Sequence, residues 1–109
     1  MDIHLTKDLE IIVFHDFFLG RLTTKRGFVF HKNLNFIKQA TLCNNESVPT
    51  IEDVLNLIDG SVPILLEIKF TNHLKKNLEV FTTVLEKKLE GYNGDVALMS
   101  FSFEVVKYL

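Results

Sequence analysis

Apolar and polar positions alternate over two short stretches near the start of the chain, residues 3–6 and 10–14, with the charged bend Lys7-Asp8 between them. A period of two sends successive side chains to opposite faces of a strand, so this pattern predicts two short strands. The second closes on His15-Asp16. In residues 17–27, Gly20, Gly27 and the charges between them argue for turns rather than a regular element. Apolar residues continue through 28–42 without a clean period, which predicts a partly buried loop region with a short helix around 34–38. Residues 43–47 read as a polar turn.

From Thr50 the pattern changes. Thr50 is a candidate N-cap, and Glu52 and Asp53 fall in the first turn, where the helix dipole favours negative charge. Ile51, Val54, Leu55 and Ile58 follow the spacing of a one-sided helix, and Gly60 stands where a C-cap glycine belongs. Residues 62–70 form a nearly unbroken apolar run, as expected of a strand buried on both faces of a parallel sheet. Residues 73–90 read as a long helix, with Asn72 as its cap, Leu74, Leu78, Phe81, Leu85 and Leu89 on its apolar face, and Gly91 at its end. A further buried strand is expected over 95–101, then a helix over 103–109 capped by Ser102. Helix and strand in alternation are the rhythm of a parallel α/β fold, and residues 1–109 read as one structural unit.

The chain has 109 residues and a net charge of −2, enough for one small core and without the basic excess that nucleic acid or an anionic membrane surface calls for. Its single cysteine, Cys43, precludes an internal disulfide and fits a reducing compartment. No apolar run approaches the ~20 residues of a membrane-spanning helix. The first residues, Met1-Asp2-Ile3-His4, carry neither a basic nor an apolar leader pattern. A cytoplasmic location is the expectation.

Candidate chemistry sits at strand ends. A histidine and a carboxylate just past a buried strand lie where barrels and open α/β sheets present their sites. Glu67 and Lys69 are two apart and share one strand face. They are costly to bury unless they pair with each other at a sheet rim or bind something. His4 shares a face with Asp2 and Thr6 and is within reach of the same place. His31, His73 and Cys43 receive no role.

The order of these pieces resembles the glycerophosphodiester phosphodiesterase family. The residues that carry the resemblance are Asp2, Thr6-Lys7-Asp8, the strand closing on His15-Asp16, Leu19-Gly20-Arg21-Leu22-Thr23, Val48-Pro49-Thr50-Ile51-Glu52-Asp53-Val54-Leu55, and Leu66-Glu67-Ile68-Lys69. Together they span nearly the whole chain. The resemblance implies an α/β fold, an incomplete (β/α)8 TIM barrel of the phospholipase-C-like phosphodiesterase type, since the family barrel takes roughly 250 residues.

By the same resemblance Asp2 and Glu67 are two of three metal-binding carboxylates for a divalent cation, Mg²⁺ or Ca²⁺, both of which favour hard oxygen ligands. His15 is one of two catalytic histidines, suited to proton transfer at phosphate ester oxygens. Lys69 is a substrate-binding cation. Arg21 either contacts substrate or braces the neighbouring insertion. The implied activity is metal-dependent hydrolysis of glycerophosphodiesters (deacylated phospholipids) to glycerol 3-phosphate and an alcohol.

Met1 stands at the middle position of the family's Glu-x-Asp, and the upstream His-Arg-Gly strand has no counterpart. The expectation is therefore an interior fragment of a barrel enzyme, with impaired or absent activity alone, and self-association or complementation through exposed barrel edges. Its partner is a small phosphodiester, not nucleic acid. Three other readings stay open: a non-catalytic remnant or a split-gene half that needs a partner fragment, a small α/β binding module, and a related barrel cleaving phosphoinositides or sphingomyelin.

Overall fold

The computed structural model describes residues 1–69 and 78–100. Strands β1 (Asp2–Leu5), β2 (Ile11–Val13), β3 (Ile64–Ile68) and β4 (Val96–Met99) form one sheet in the order β2-β1-β3-β4. β2 returns antiparallel to β1, with Ile3 opposite Val13 and Leu5 opposite Ile11. β3 runs parallel to β1, placing Asp2 opposite Glu67, and β4 runs parallel to β3. The helices are α1 (Leu34–Lys38), α2 (Ile51–Ile58) and α3 (Leu78–Leu89), with a short 3₁₀ turn at Val29–His31.

Alternation along β1 and β3 sorts side chains to two faces. Ile3, Leu5, Ile64, Leu66 and Ile68 point to the helical side, where Ile51 and Leu55 of α2 and Leu78, Phe81 and Leu85 of α3 close over them. Each such residue contributes about 1.5–3 kcal/mol by leaving water. The opposite face carries Asp2, His4, Leu65 and Glu67. A second apolar cluster of Ile12, Phe14, Leu19, Val29, Ile37 and Val48 lies under the excursion between β2 and α2. Neighbouring residues of β2 thus serve two cores, Ile11 the first and Ile12 the second.

The start of α2 is fixed by a reciprocal cap. Thr50 Oγ1 accepts from the Asp53 N–H at 3.1 Å, and the Asp53 carboxylate accepts from the Thr50 N–H at 3.0 Å. Its end differs from the expectation. Asp59, not Gly60, takes the left-handed cap at φ 47°, and Gly60 follows at φ 76° while donating its N–H to the Tyr92 hydroxyl. The reversal needs two successive positive φ angles, and glycine supplies the second at least steric cost. Lys88 near the end of α3 donates to Glu10 and Glu52, each at 2.8 Å, tying α3 to the β1–β2 hairpin and α2.

The short helix expected around 34–38 is α1, and Gly91 closes α3 with φ 77°. Two strand expectations need correcting. β3 is fully buried on one face, whereas on the other Glu67 is buried but Leu65 is 50% exposed. β4 is half-buried to exposed throughout, because it lies at the end of the strand order. The expected positions at Phe70, Asn72, His73, Leu74, Phe101 and Ser102 and the helix over 103–109 lie outside the described residues.

Candidate active site

Parallel pairing of β1 with β3 sets Asp2 and Glu67 side by side on the face away from the helices. Lys69 follows β3 in extended continuation, its N–H bonded to the Ile3 carbonyl, so its side chain falls on the same face as Glu67. Lys69 Nζ lies 2.5 Å from Glu67 Oε2 and 3.8 Å from Asp2 Oδ2. Glu67 is buried, and the ammonium offsets the cost of removing its charge from water. Glu67 and Lys69 thus pair at the sheet rim, with Asp2 beside them.

The hairpin brings in the fourth group. The Phe14 N–H donates to the Asp2 carbonyl at 3.0 Å, and the chain leaving β2 lays His15 beside Asp2. His15 Nε2 stands 3.9 Å from Asp2 Oδ2, while Nδ1 stands 2.7 Å from Asp16 Oδ1. The ring is 68% exposed. Asp2, His15, Glu67 and Lys69 thus converge at one mouth.

Arg21 reaches this group only through Asp16. Its Nε donates to Asp16 Oδ2 at 2.8 Å and one terminal nitrogen donates to Asp16 Oδ1 at 2.9 Å. The Arg21 hydrogen bonds, then the one from His15, hold the Asp16 carboxyl well below the usual carboxylate range, and Asp16 in turn raises the Arg21 guanidinium.

His4 belongs here more firmly than the sequence argued. It is buried, its ring bonds the His15 backbone, and it meets Phe17 edge-on at 5.1 Å. Burial first, then the Lys69 and His15 charges, push it down to about 4. The signal was the period of two from Asp2. What the sequence left open was whether a neutral ring would be packed there.

The other motifs build the frame. Thr6 Oγ1 donates to Asp8 Oδ1 at 2.6 Å and accepts from the Glu10 N–H, while Asp8 also accepts from the Leu34 N–H. Thr6-Lys7-Asp8 therefore shapes the hairpin turn and holds α1 to it. Thr23 Oγ1 donates to the Leu19 carbonyl, closing the Leu19–Thr23 segment into a turn. His31 packs edge-on against Phe28 and Phe30, and Cys43 is exposed. His73 lies outside the described residues.

Among the described residues no group of three or more His, Cys, Asp and Glu could hold a metal ion by itself. The two carboxylates of Asp2 and Glu67 do face one cation already, the Lys69 ammonium. Hard carboxylate oxygens of this kind suit a hard divalent cation. No helix among the described residues is long and apolar enough to cross a membrane.

The fold matches solved phosphodiesterase barrels. An Oleispira antarctica phosphodiesterase, solved with the product sn-glycerol-3-phosphate, superposes with TM-score 0.85 at 21% identity, over 97% of this chain and 46% of that one. A glycerophosphodiester phosphodiesterase from Agrobacterium tumefaciens superposes with TM-score 0.76 at 22% identity, over 98% and 46%. The sheet and helices are thus part of a TIM barrel, and the chain spans just under half of these structures. In sequence, the Bacillus subtilis protein YhdW, which carries a glycerophosphodiester phosphodiesterase name, is 32% identical over 76 residues, 63% of this chain and 31% of YhdW. The family model for glycerophosphoryl diester phosphodiesterases matches residues 1–109, and the chain belongs to that family.

Proposed function

We propose that this chain carries part of the site of a metal-dependent phosphodiesterase that hydrolyses glycerophosphodiesters to glycerol 3-phosphate and an alcohol. The observation that carries the reading is the convergence of Asp2, His15, Glu67 and Lys69. The carboxylates of Asp2 and Glu67 would hold the divalent cation, Mg²⁺ or Ca²⁺. When bound, that cation supplies positive charge where negative charge grows on the phosphoryl oxygens. Lys69 adds a second charge to the same oxygens. His15 exchanges a proton with an ester oxygen through Nε2, the nitrogen that faces the site. Arg21 is the other cation the sequence offers to substrate. With two donors already on Asp16, it serves better as a brace.

A second reading concerns turnover, and the span of the chain favours it, at 46% of the Oleispira enzyme. We infer that catalysis also draws on the remainder of a barrel, packed along the outer edge of β4 and over the exposed Leu65 face. Each acid–base group contributes about 10²–10⁴-fold to turnover, so ligand binding reads this half of the site separately from the chemistry.

The test is therefore binding. Calorimetric titration of sn-glycerol 3-phosphate should show association only with Mg²⁺ or Ca²⁺ present, and Glu67→Gln should weaken it by about tenfold or more. Equal binding by Glu67→Gln, or binding indifferent to the cation, overturns the assignment.

A further inference from the structure

We propose that the excursion between β2 and α2 is a docking surface for an anionic lipid bilayer, with Lys25, Arg26, Lys32 and the exposed Phe18 as its contact points. The inference goes beyond the phosphodiesterase reading and does not depend on it.

A net charge of −2 hides an uneven distribution. Residues 17–45 hold Arg21, Lys25, Arg26, Lys32 and Lys38 and none of the chain's 14 acidic residues. One lobe is therefore basic while the rest of the chain carries the acid, and the field of such a lobe attracts anions whatever the net charge. Arg21 and Lys38 are engaged by Asp16 and Asp53. Among the described residues, Lys25, Arg26 and Lys32 pair with no carboxylate. Lys25 Nζ and Lys32 Nζ lie instead 5.4 and 4.6 Å from the centre of the same Phe36 ring. The ring attracts each ammonium, which gathers two like charges in one place without a counter-ion. Arg26, next in the chain to Lys25, is exposed.

The same lobe carries an aromatic ladder. The Phe18 and Phe28 ring centres are 3.9 Å apart, and those of Phe28 and Phe30 are 5.0 Å apart. Backbone pairing between residues 17–19 and 27–29 holds the first rung, through the Leu19 N–H to the Gly27 carbonyl and the Val29 N–H to the Phe17 carbonyl. Phe18 is nonetheless 53% exposed. Cations alone would suit any polyanion, and the rings make the choice. Their faces stack on one another, so nucleic-acid bases would have to part them to stack in turn. An apolar phase takes up the exposed ring edge as it stands. Basic side chains around an exposed aromatic suit the headgroup boundary of an anionic bilayer. Phe18 follows His15 by three residues and Arg21 bonds Asp16, so the lobe borders the mouth. Docking holds that mouth at the bilayer surface.

The experiment is flotation of the full chain across a titration of vesicles, either phosphatidylcholine alone or phosphatidylcholine mixed with phosphatidylglycerol, at physiological salt. The chain should bind the mixed vesicles and leave the phosphatidylcholine ones. Lys25→Gln with Lys32→Gln should weaken binding by about 25-fold, at ~5-fold for each cation near an anionic surface. Phe18→Ser should weaken it by about fivefold, the share of a phenyl ring that leaves water. Lys87→Gln removes an exposed cation of α3 and should change nothing. No binding, or equal binding to both kinds of vesicle, overturns the proposal. So does a Lys25→Gln, Lys32→Gln chain that binds as wild type, or a Lys87→Gln chain that loses as much. Single-stranded polyuridylate that strips the chain from mixed vesicles would assign the lobe to nucleic acid and overturn it too. If the paired variant fails to fold, salt decides with the wild-type chain: binding that survives ~1 M salt, where charges are screened within ~3 Å, overturns the proposal, and release supports it.

Discussion

Lys69→Met isolates the electrostatic centre of the site. The substitution keeps the apolar stem and removes the ammonium that lies 2.5 Å from Glu67 and 3.8 Å from Asp2. At an effective dielectric of ~20 these contacts amount to about 6–7 and ~4 kcal/mol of Coulomb attraction, most of it offset by desolvation. Removing one partner of a buried pair costs ~3–5 kcal/mol. Lys69 is 19% and Asp2 23% exposed, so the lower end applies, about 3 kcal/mol. For a chain of 109 residues, with ~2.1 cal/mol/K of unfolding entropy per residue, that lowers Tm by about 13 °C. Two carboxylates left facing each other should then take up a divalent cation more readily than the wild-type pair does. At free cation ~100-fold above Kd, binding returns about 2.7 kcal/mol. Calorimetric melting in chelator and then in Ca²⁺ should show the variant losing and recovering most of this difference, with a smaller cation shift in the wild-type chain. A variant as stable as wild type in chelator, or one whose Tm ignores Ca²⁺, would refute the shared-charge account.

Two further outcomes follow from the fold. Thr50→Ala removes one half of the α2 capping box and should cost ~1 kcal/mol, or about 4–5 °C in Tm, measured by thermal melting. No change there would mean that the Thr50–Asp53 exchange does not hold the helix start. His4, pushed down to about 4 by burial and then by the Lys69 and His15 charges, against the opposing pull of the His15 backbone and Asp16, should make stability depend on pH. Below its ordinary ~6.5 the unfolded chain binds a proton that the folded ring refuses, so stability falls from about pH 6.5 to pH 4 and is flat above, by ~3 kcal/mol in all. Urea unfolding at about pH 4.5 and 7.5 measures it. A His4→Gln chain with the same slope would assign the effect elsewhere.

Local chemistry was the readable part of the chain. Thr50 and Asp53 declare a helix start because their partners are three residues away, and α1 emerges at the length its short apolar stretch allows. Depth of burial was harder. The apolar runs at β3 and β4 read as fully covered strands, yet cover depends on what lies across the sheet, and Leu65, Ala97 and Leu98 are exposed. The site divides the same way. Glu67 and Lys69 share a face by period alone, whereas the approach of His15 to Asp2 depends on hairpin register and that of Asp2 to Glu67 on a parallel crossover. The partnership of Arg21 with Asp16 spans five residues of irregular chain, for which no periodic rule exists.

The β1–β2 hairpin counts residues strictly. Ile11 and Ile12 feed different cores, and His15 arrives beside Asp2 only because Phe14 is held to the Asp2 carbonyl. One amino acid inserted between Thr6 and Glu10 would turn β2 over, trading its contributions to the two cores and swinging the imidazole to the wrong side. The hairpin that delivers the histidine therefore has a length set by two cores at once.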